Sequence, residues 1–276
     1  MGLVYMFIFV WYIEEKNERV NTPMGIRRVE LKERARNLIS RSRPSVLLVG
    51  LAYIAICFVL YMLSSRLLGL NYTDTLSELY TEYLESGNLE YALQVAMKMA
   101  PPFYAVVLSW LTDFLSYVVG AGFTLFLLNT IRRAGASFGN LLDAFPLFFK
   151  LFLLSLLTSV FTFLWSLLLI FPGVIAAYRY RQALYILLDH PEKSPLQCIR
   201  ESKELMRGHK WELFVLDLSF IGWSLLASIP YVGYIIQVWT VPYLSLSYAL
   251  YYEKLSGGDI YAADGRDELP PPPIGY

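Results

Sequence analysis

Four ionisable side chains and one glutamine interrupt otherwise apolar stretches of this sequence. They are Arg179, Arg181, Asp217, Asp113 and Gln237. An ionised group at the centre of a lipid bilayer costs about 2.5–3.5 kcal/mol unless it is paired or hydrated. These five residues are therefore the candidates for ion pairing or for binding a polar ligand.

Arg181 and Asp217 are the predicted ion pair. Arg181 lies about 12 Å along the helix from the charged boundary residue Asp189. Asp217 lies about 10 Å along the next helix from the boundary residue Lys210. Similar depths on consecutive antiparallel helices favour their pairing. Asp113, on an earlier helix, has no obvious partner in the sequence.

Two interpretations of this pair stay open. A buried arginine–aspartate pair can lock the register of two helices, and an arginine can also extend toward the membrane interface. Alternatively, the pair lies on the path of a ligand or an ion. We favour the structural interpretation, and the path is excluded if Arg181→Leu changes neither folding nor cellular function.

Signatures of catalysis and metal binding are missing from the sequence. It contains no HExxH motif, no nucleophile elbow, no P-loop and no Cys/His zinc spacing. His190 and His209 flank a charged segment, where contacts with helix ends or headgroups are the usual role. We therefore predict a non-enzymatic protein with no catalytic residue, no metal and no cofactor.

The elements that must position these residues are membrane-spanning helices. The chain has 276 residues, of which 56% are apolar and 17% charged. About 20 helical residues cross a bilayer, so the charge-free runs 151–178 and 218–252 must each fold back as a hairpin. Helix breakers divide the runs at Pro172, Gly173 and Pro230. The predicted fold is all-α, a polytopic bundle with crossings at 45–65, 103–130, 148–171, 174–189, 211–229 and 233–252.

The placement of lysine and arginine orients this bundle. Seventeen of these residues fall in segments assigned to one face, and only Arg66 and Lys98 fall on the other. The positive-inside rule then makes both termini cytoplasmic and turns the acidic helical loop 66–102 outward. We predict a multi-pass protein of the cell membrane. Its predicted partners are the lipid bilayer and anionic headgroups at the basic helices, with no nucleic acid; protein partners stay open.

The ends of the chain lie outside this bundle. The apolar run within residues 1–23 is too short to cross a membrane, and an extended start before Met24 explains it best. Composition and periodicity define the other segments. They are a basic cytoplasmic amphipathic helix at 24–44, a six-helix membrane domain at 45–255 that includes a cytoplasmic helix at 194–208, and a disordered cytoplasmic tail at 256–276.

The two C-terminal hairpins align without gaps at an offset of 58 residues. The string "WSLLLIFPGVI" at 165–175 then meets "WSLLASIPYVG" at 223–233, and Gln237 falls opposite Arg179. Leucine-rich sequences also match by chance, so duplication and coincidence both stay open. Pro242, in the sixth crossing, predicts a kink that opens a polar pocket or only improves packing.

Three strings in the second half of the chain carry a family resemblance. They are "WSLLLIFPGVIAAYRYRQALYILLD", "CIRESKELMRGHKWELFVLDLSFIGW" and "VPYLSLSYALYYEKL". Together they resemble the bacterial integral membrane family catalogued as domain of unknown function 975, over roughly residues 26–255. The resemblance implies a polytopic bacterial membrane protein and brings no assigned activity.

These observations predict an integral membrane protein with a binding, transport-accessory or assembly role. Its polar centre is formed by Arg179, Arg181, Asp217 and Gln237. The alternative is a transporter that moves a small or amphipathic solute past this centre, between the two C-terminal hairpins.

Overall fold

The computed structural model describes residues 28–67, 102–168, 170–229 and 232–258, with a few isolated positions between 80 and 90. All regular secondary structure in these stretches is helical, which confirms the predicted all-α class. Several predictions lie outside the described residues: the extended start at 1–23, the helical pair in most of the loop 66–102, Pro230, and the tail beyond residue 258.

The helices are numbered here in chain order. They are α1 (Arg28–Arg41), α2 (Val46–Leu67), α3 (Phe103–Arg132), α4 (Phe148–Leu168), α5 (Ile170–Tyr180), α6 (Ala183–Asp189), α7 (Pro195–Leu205), α8 (Lys210–Leu218), α9 (Ile221–Ala227) and α10 (Val232–Leu255). Two short 3-10 helices, Phe138–Leu141 and Phe145–Leu147, connect α3 to α4.

Within the described stretches, three helical segments are long and apolar enough to cross a membrane. They are Val46–Arg66, Phe103–Arg132 and Phe138–Leu167. Many of their large apolar side chains are exposed, among them Phe103 and Phe149 at more than four-fifths of their surface. Exposed apolar surface of this kind is typical of helices that face lipid.

The chain divides into two compact units. One comprises residues 1–53 and 119–276, and the other comprises residues 54–118. The second unit contains Asp113, and the first contains the remaining candidate residues.

Helices α4 and α5 form the first C-terminal hairpin. Phe161 on α4 meets Tyr180 on α5 with ring centroids 6.1 Å apart, which requires the two helices to run side by side. Gly173 near the start of α5 also approaches Ser166 near the end of α4, so the two helices run antiparallel. The prediction of a hairpin in this run is consistent with these contacts.

Pro172 and Gly173 do not form the turn of this hairpin, contrary to the prediction. Both lie in the first turn of α5, where a proline is tolerated because the N–H groups there have no intrahelical partner. A Cβ at Gly173 would lie 2.9 Å from the Cα of Ser166 on α4. The glycine therefore permits close helix packing rather than a tight turn.

The fourth and fifth predicted crossings are each divided into two helices, which the sequence did not predict. The fourth is interrupted at Arg181 and Gln182, between α5 and α6. The fifth is interrupted at Ser219 and Phe220, between α8 and α9. The sixth is one helix, α10, which continues through Pro242. Each hairpin therefore has one continuous arm and one broken arm.

The two amphipathic helices pack their apolar faces on protein. Helix α1 lies against α10, and α7 lies against α4, α5 and α6. The predicted capping box of α7 is present, because Ser194 accepts from the backbone N–H of Gln197 and Gln197 accepts from that of Ser194. The buried residues are Leu31, Arg34, Ala35, Leu38 and Ile39 on α1, and Pro195, Cys198, Ile199 and Ser202 on α7.

Candidate functional site

A serine from α7 satisfies the backbone at the break between α5 and α6. The Ser202 hydroxyl donates to the carbonyl of Arg179 at 2.7 Å and accepts from the N–H of Gln182 at 3.2 Å. Ser202 is fully buried, so water does not replace it. One hydroxyl, from a residue remote in sequence, thus satisfies a backbone carbonyl and a backbone N–H at this interruption.

A lysine from α1 plays the corresponding part at the break between α8 and α9. Lys32 donates from Nζ to the carbonyl of Ser219 at 3.0 Å, and Nζ lies 4.1 Å from the ring centroid of Phe220. Partial burial, with the nearby charges of Arg28 and Arg36, lowers the pKa of Lys32 below its usual range. Both breaks are therefore stabilised by side chains remote in sequence.

The predicted partners Arg181 and Asp217 meet between these two breaks. Arg181 Nη1 lies 3.0 Å from Asp217 Oδ2, and the Tyr178 hydroxyl donates to the same oxygen at 2.9 Å. The side chains of Arg181 and Asp217 are 39% and 22% exposed. The pair is therefore accessible from outside the protein and is not a sealed core contact.

An aromatic column joins the two breaks. The guanidinium carbon of Arg181 lies 4.7 Å from the ring centroid of Tyr248, and Tyr248 meets Phe220 edge to face at 6.2 Å. Phe220 in turn contacts Lys32. We call the set Lys32, Tyr178, Arg181, Ser202, Asp217, Phe220 and Tyr248 the twin-break site.

The twin-break site is not fully satisfied. Oxygen Oδ1 of Asp217 is buried and makes no hydrogen bond of ordinary geometry to a described residue, although the Tyr248 hydroxyl lies near this carboxylate. The side-chain oxygen of Gln182, in the first break, is also buried and has no hydrogen-bond partner among the described residues. A buried polar atom without a partner costs free energy, so the site retains capacity for a hydrogen-bond donor.

The other predicted residues have different surroundings. Arg179 takes part through its backbone carbonyl. Gln237 precedes Tyr248 on α10 by about 16 Å of helix and makes no contact with the pair in the described part of the chain. Asp113 is exposed in the other unit and has no ion-pair partner among the described residues. The inclusion of Arg179 and Gln237 in the polar centre therefore stays a prediction.

Pro242 is buried against another helix. A Cβ at Gly50 of α2 would lie 3.3 Å from the Cβ of Pro242, so the glycine allows the two helices to approach. The hydroxyl oxygen of Thr240 is buried and has no partner among the described residues. The kink at Pro242 and the polar pocket beside it stay predictions.

Helix α7 brings charge to the level of the pair. Helices α6 and α7 run side by side, and Ser202 on α7 reaches the break at which Arg181 lies. Neighbouring residues of α7, Lys203 and Glu204, are exposed. Exposed charged groups need water or headgroups, so their position argues that the pair is hydrated rather than in dry hydrocarbon.

A second polar network, which the sequence analysis missed, lies at the C-terminal ends of α3, α6 and α10. Arg132 binds Glu253 through Nε and Nη2 and Asp189 through Nη1 and Nη2. The Tyr252 hydroxyl donates to Asp189 at 2.8 Å. We call these four residues the terminal ion cluster.

The terminal ion cluster is tightly satisfied. The side chain of Arg132 is 34% exposed, whereas those of Asp189 and Glu253 are 15% and 6% exposed. The nearby pair of Lys254 and Glu30, with 3.2 Å between charged atoms, adds α1 to the same end. One sequence signal existed, because Arg132, Asp189 and Glu253 each end an apolar run.

No group of three or more His, Cys, Asp or Glu side chains able to hold a metal occurs within the described residues. The thiols of Cys57 and Cys198 belong to different helices, and burial is the main cause that raises the pKa of Cys198. The predicted absence of metal, cofactor and catalysis stays a prediction.

Comparison with known proteins returns one family. Residues 167–258 match the family model described as "Protein of unknown function (DUF975)". The matched range includes α5 to α10 and thus the two helix breaks and the ion pair between them. This match confirms the family resemblance over these residues, while its extension to residue 26 stays a prediction. No curated protein and no solved structure matches the chain.

Proposed function

We propose that this chain, which belongs to the DUF975 family through residues 167–258, is a non-enzymatic membrane protein that binds an amphipathic ligand at the twin-break site. The ligand's polar group meets the Arg181–Asp217 pair, and its apolar part lies along the adjacent helices. Of the three roles that the sequence predicts, namely binding, transport accessory and assembly, this proposal is the binding role.

The observation that carries the proposal is the state of Asp217. Its Oδ2 accepts from Arg181 and Tyr178, while its Oδ1 is buried and makes no hydrogen bond of ordinary geometry to a described residue, with only the Tyr248 hydroxyl nearby. A ligand hydroxyl or amine that donates to Oδ1 would remove this unfavourable condition. The remaining N–H groups of Arg181 would bind an acceptor on the same ligand.

The surroundings of the site favour an amphipathic ligand over a fully polar one. Leu218 and Ile221, on either side of the second break, are each more than half exposed. Trp211 on α8 is also exposed and stacks on Phe214 at 5.1 Å between ring centroids. Exposed apolar side chains beside an accessible ion pair suit a molecule with one polar end.

The arrangement of helix ends supports the predicted orientation. The C-terminal ends of α3, α6 and α10 meet at the terminal ion cluster, and these are the ends that the basic flanking segments predict to be cytoplasmic. Arg181 contacts Tyr248 and Tyr185 stacks on Tyr252, so α6 and α10 run in the same direction. We propose that the six-crossing cell-membrane topology holds, with the twin-break site open to cytoplasmic water.

Native mass spectrometry of the protein purified from membranes tests the proposed ligand. The wild type is expected to retain a co-purifying amphiphile that Asp217→Asn and Arg181→Gln lose. Glu204→Gln is a matched control, because it removes one charge from an exposed pair with Arg207 outside the site. Equal retention of every bound species in all four proteins would contradict the proposal.

Transport of the ligand is the second candidate. Interrupted helices commonly form the substrate sites of secondary transporters. The twin-break site has two of them, with the Arg181–Asp217 pair between. Proteoliposome uptake of the co-purified amphiphile separates the two functions. Uptake that Asp217→Asn abolishes supports transport, and binding without uptake supports the binding role.

A further inference from the structure

A separate polar cavity of about 490 Å³ lies between the end of α1 and the end of α3. Its described lining includes Arg41, Ser42, Arg43, Asn129, Thr130 and Arg133. Three of these six side chains are arginines, and no acidic residue occurs in the described lining. Such a cavity has the charge and the donors of an anion site.

Two lining side chains have hydrogen-bonding capacity to spare. The guanidinium of Arg43 and the amide of Asn129 make no hydrogen bond to any residue in the described stretches. An arginine fork and an amide N–H₂ together match the oxygens of a phosphate group. The cavity thus offers both charge and directed donors to one anion.

The backbone of Arg133 adds an independent observation. Its φ is 53°, in the left-handed region that side chains other than glycine seldom adopt. Helices commonly end with a glycine in this conformation, and α3 ends at the residue before Arg133. The Arg133 side chain therefore lines the cavity from a backbone position that non-glycine residues adopt at a cost.

The position of the cavity favours a lipid headgroup as the source of the anion. Arg43 lies three residues before α2, and Arg133 directly follows α3. Both helices are long and apolar enough to cross a membrane, so the cavity lies at the level where their apolar segments end. Phosphates of lipid headgroups lie at this level.

We propose that the cavity lined by Arg41, Arg43 and Arg133 binds the phosphate headgroup of an anionic phospholipid. Its volume leaves room for the glycerol beside the phosphate. The site is distinct from the twin-break site, and no residue is shared between them. The proposal also names one location for the anionic lipid contacts that the sequence predicts in general.

Lipid titration monitored by native mass spectrometry tests the proposal on the full-length protein. The wild type is expected to bind phosphatidylglycerol at least about tenfold more tightly than phosphatidylcholine. The double variant Arg43→Gln/Arg133→Gln is expected to lose this preference. The control Arg28→Gln/Arg36→Gln removes the same charge from exposed positions of α1 and is expected to keep it.

Folding and ligand source are controlled separately. Arg133→Gly relieves the left-handed backbone, so its Tm is expected to equal or exceed that of the wild type while phosphatidylglycerol binding weakens. Asp217→Asn is expected to keep the lipid preference, which separates this proposal from the ligand of the twin-break site.

Three results would overturn the proposal. The first is an equal loss of preference in both double variants, which would indicate general charge attraction. The second is the absence of any preference in the wild type. The third is displacement of phosphatidylglycerol by millimolar glycerol phosphate or inorganic phosphate, which would assign the cavity to a soluble phosphate compound.

Discussion

The twin-break site and the terminal ion cluster use the same chemistry in different ways. Arg132 engages both oxygens of Glu253 and both oxygens of Asp189. Arg181 engages one oxygen of Asp217, while the other is buried and makes no hydrogen bond of ordinary geometry to a described residue. A saturated network fixes the helices that it joins, whereas an unsaturated one retains binding capacity.

Burial shows the same contrast. The carboxylates of the terminal ion cluster are 15% and 6% exposed, and they join helices that are regular up to their ends. The ion pair of the twin-break site is 39% and 22% exposed and lies between two interruptions. We therefore infer a structural role for the terminal ion cluster and keep ligand binding at the twin-break site as a proposal.

The largest expected effect is that of Arg132→Leu. This exchange leaves Asp189 and Glu253 as mostly buried carboxylates without their cation, and we expect a loss of about 3 kcal/mol or more in the free energy of unfolding. Fluorescence-detected size-exclusion after a heating series measures the loss. An unchanged midpoint temperature of unfolding would show that the terminal ion cluster does not stabilise the fold.

Ser202→Ala is expected to have an intermediate effect. It removes both hydrogen bonds that satisfy the break between α5 and α6, and a loss of about 1–2 kcal/mol in unfolding free energy follows. Ser155→Ala is the matched control, because the Ser155 hydroxyl makes only a local bond to the carbonyl of Phe152 on an exposed surface. If the two variants melt alike, the serine cap does not stabilise the break.

Removal of the Lys32 ammonium is expected to have a smaller effect. Lys32→Met deletes the donor to Ser219 and the contact with Phe220, at a cost of about 1 kcal/mol. Hydrogen exchange at residues 219–222 is expected to become faster in this variant while exchange in α4 is unchanged. Unchanged exchange at the break would show that the lysine is dispensable.

The sequence predicted the helices well because their causes are local. Apolar runs, charge boundaries and the capping residues of α7 are visible in short windows, and α2 and α3 begin within one residue of their predictions. The pairing of Arg181 with Asp217 was also predictable, since few charges interrupt the apolar runs and those two lie at similar depths.

The helix breaks were not predictable because their causes are remote. No proline or glycine occurs at residues 181–182 or 219–220. The interruptions depend on Ser202, which is twenty positions after Gln182, and on Lys32, which is 187 positions before Ser219. Conversely, Pro172 and Gly173 are residue types that usually break helices, yet both lie inside α5. Pro172 is tolerated because no N–H is needed in the first turn, and Gly173 permits close contact with Ser166.

The terminal ion cluster was missed for a related reason. Arg132, Asp189 and Glu253 are separated by more than fifty residues each, and in the sequence they serve only to mark the ends of apolar runs. Their convergence follows from the packing of three helix ends, which no local pattern encodes.

Paired double-mutant cycles on the two networks test the assignment of their roles most directly. One cycle combines Arg132→Leu with Glu253→Gln, and the other combines Arg181→Gln with Asp217→Asn, each followed by reversible unfolding in mixed micelles. We predict a coupling free energy of about 2–3 kcal/mol for the first pair and below about 1 kcal/mol for the second, more exposed pair. An equal or larger coupling for Arg181 and Asp217 would contradict the account, because their pair would then be a structural lock.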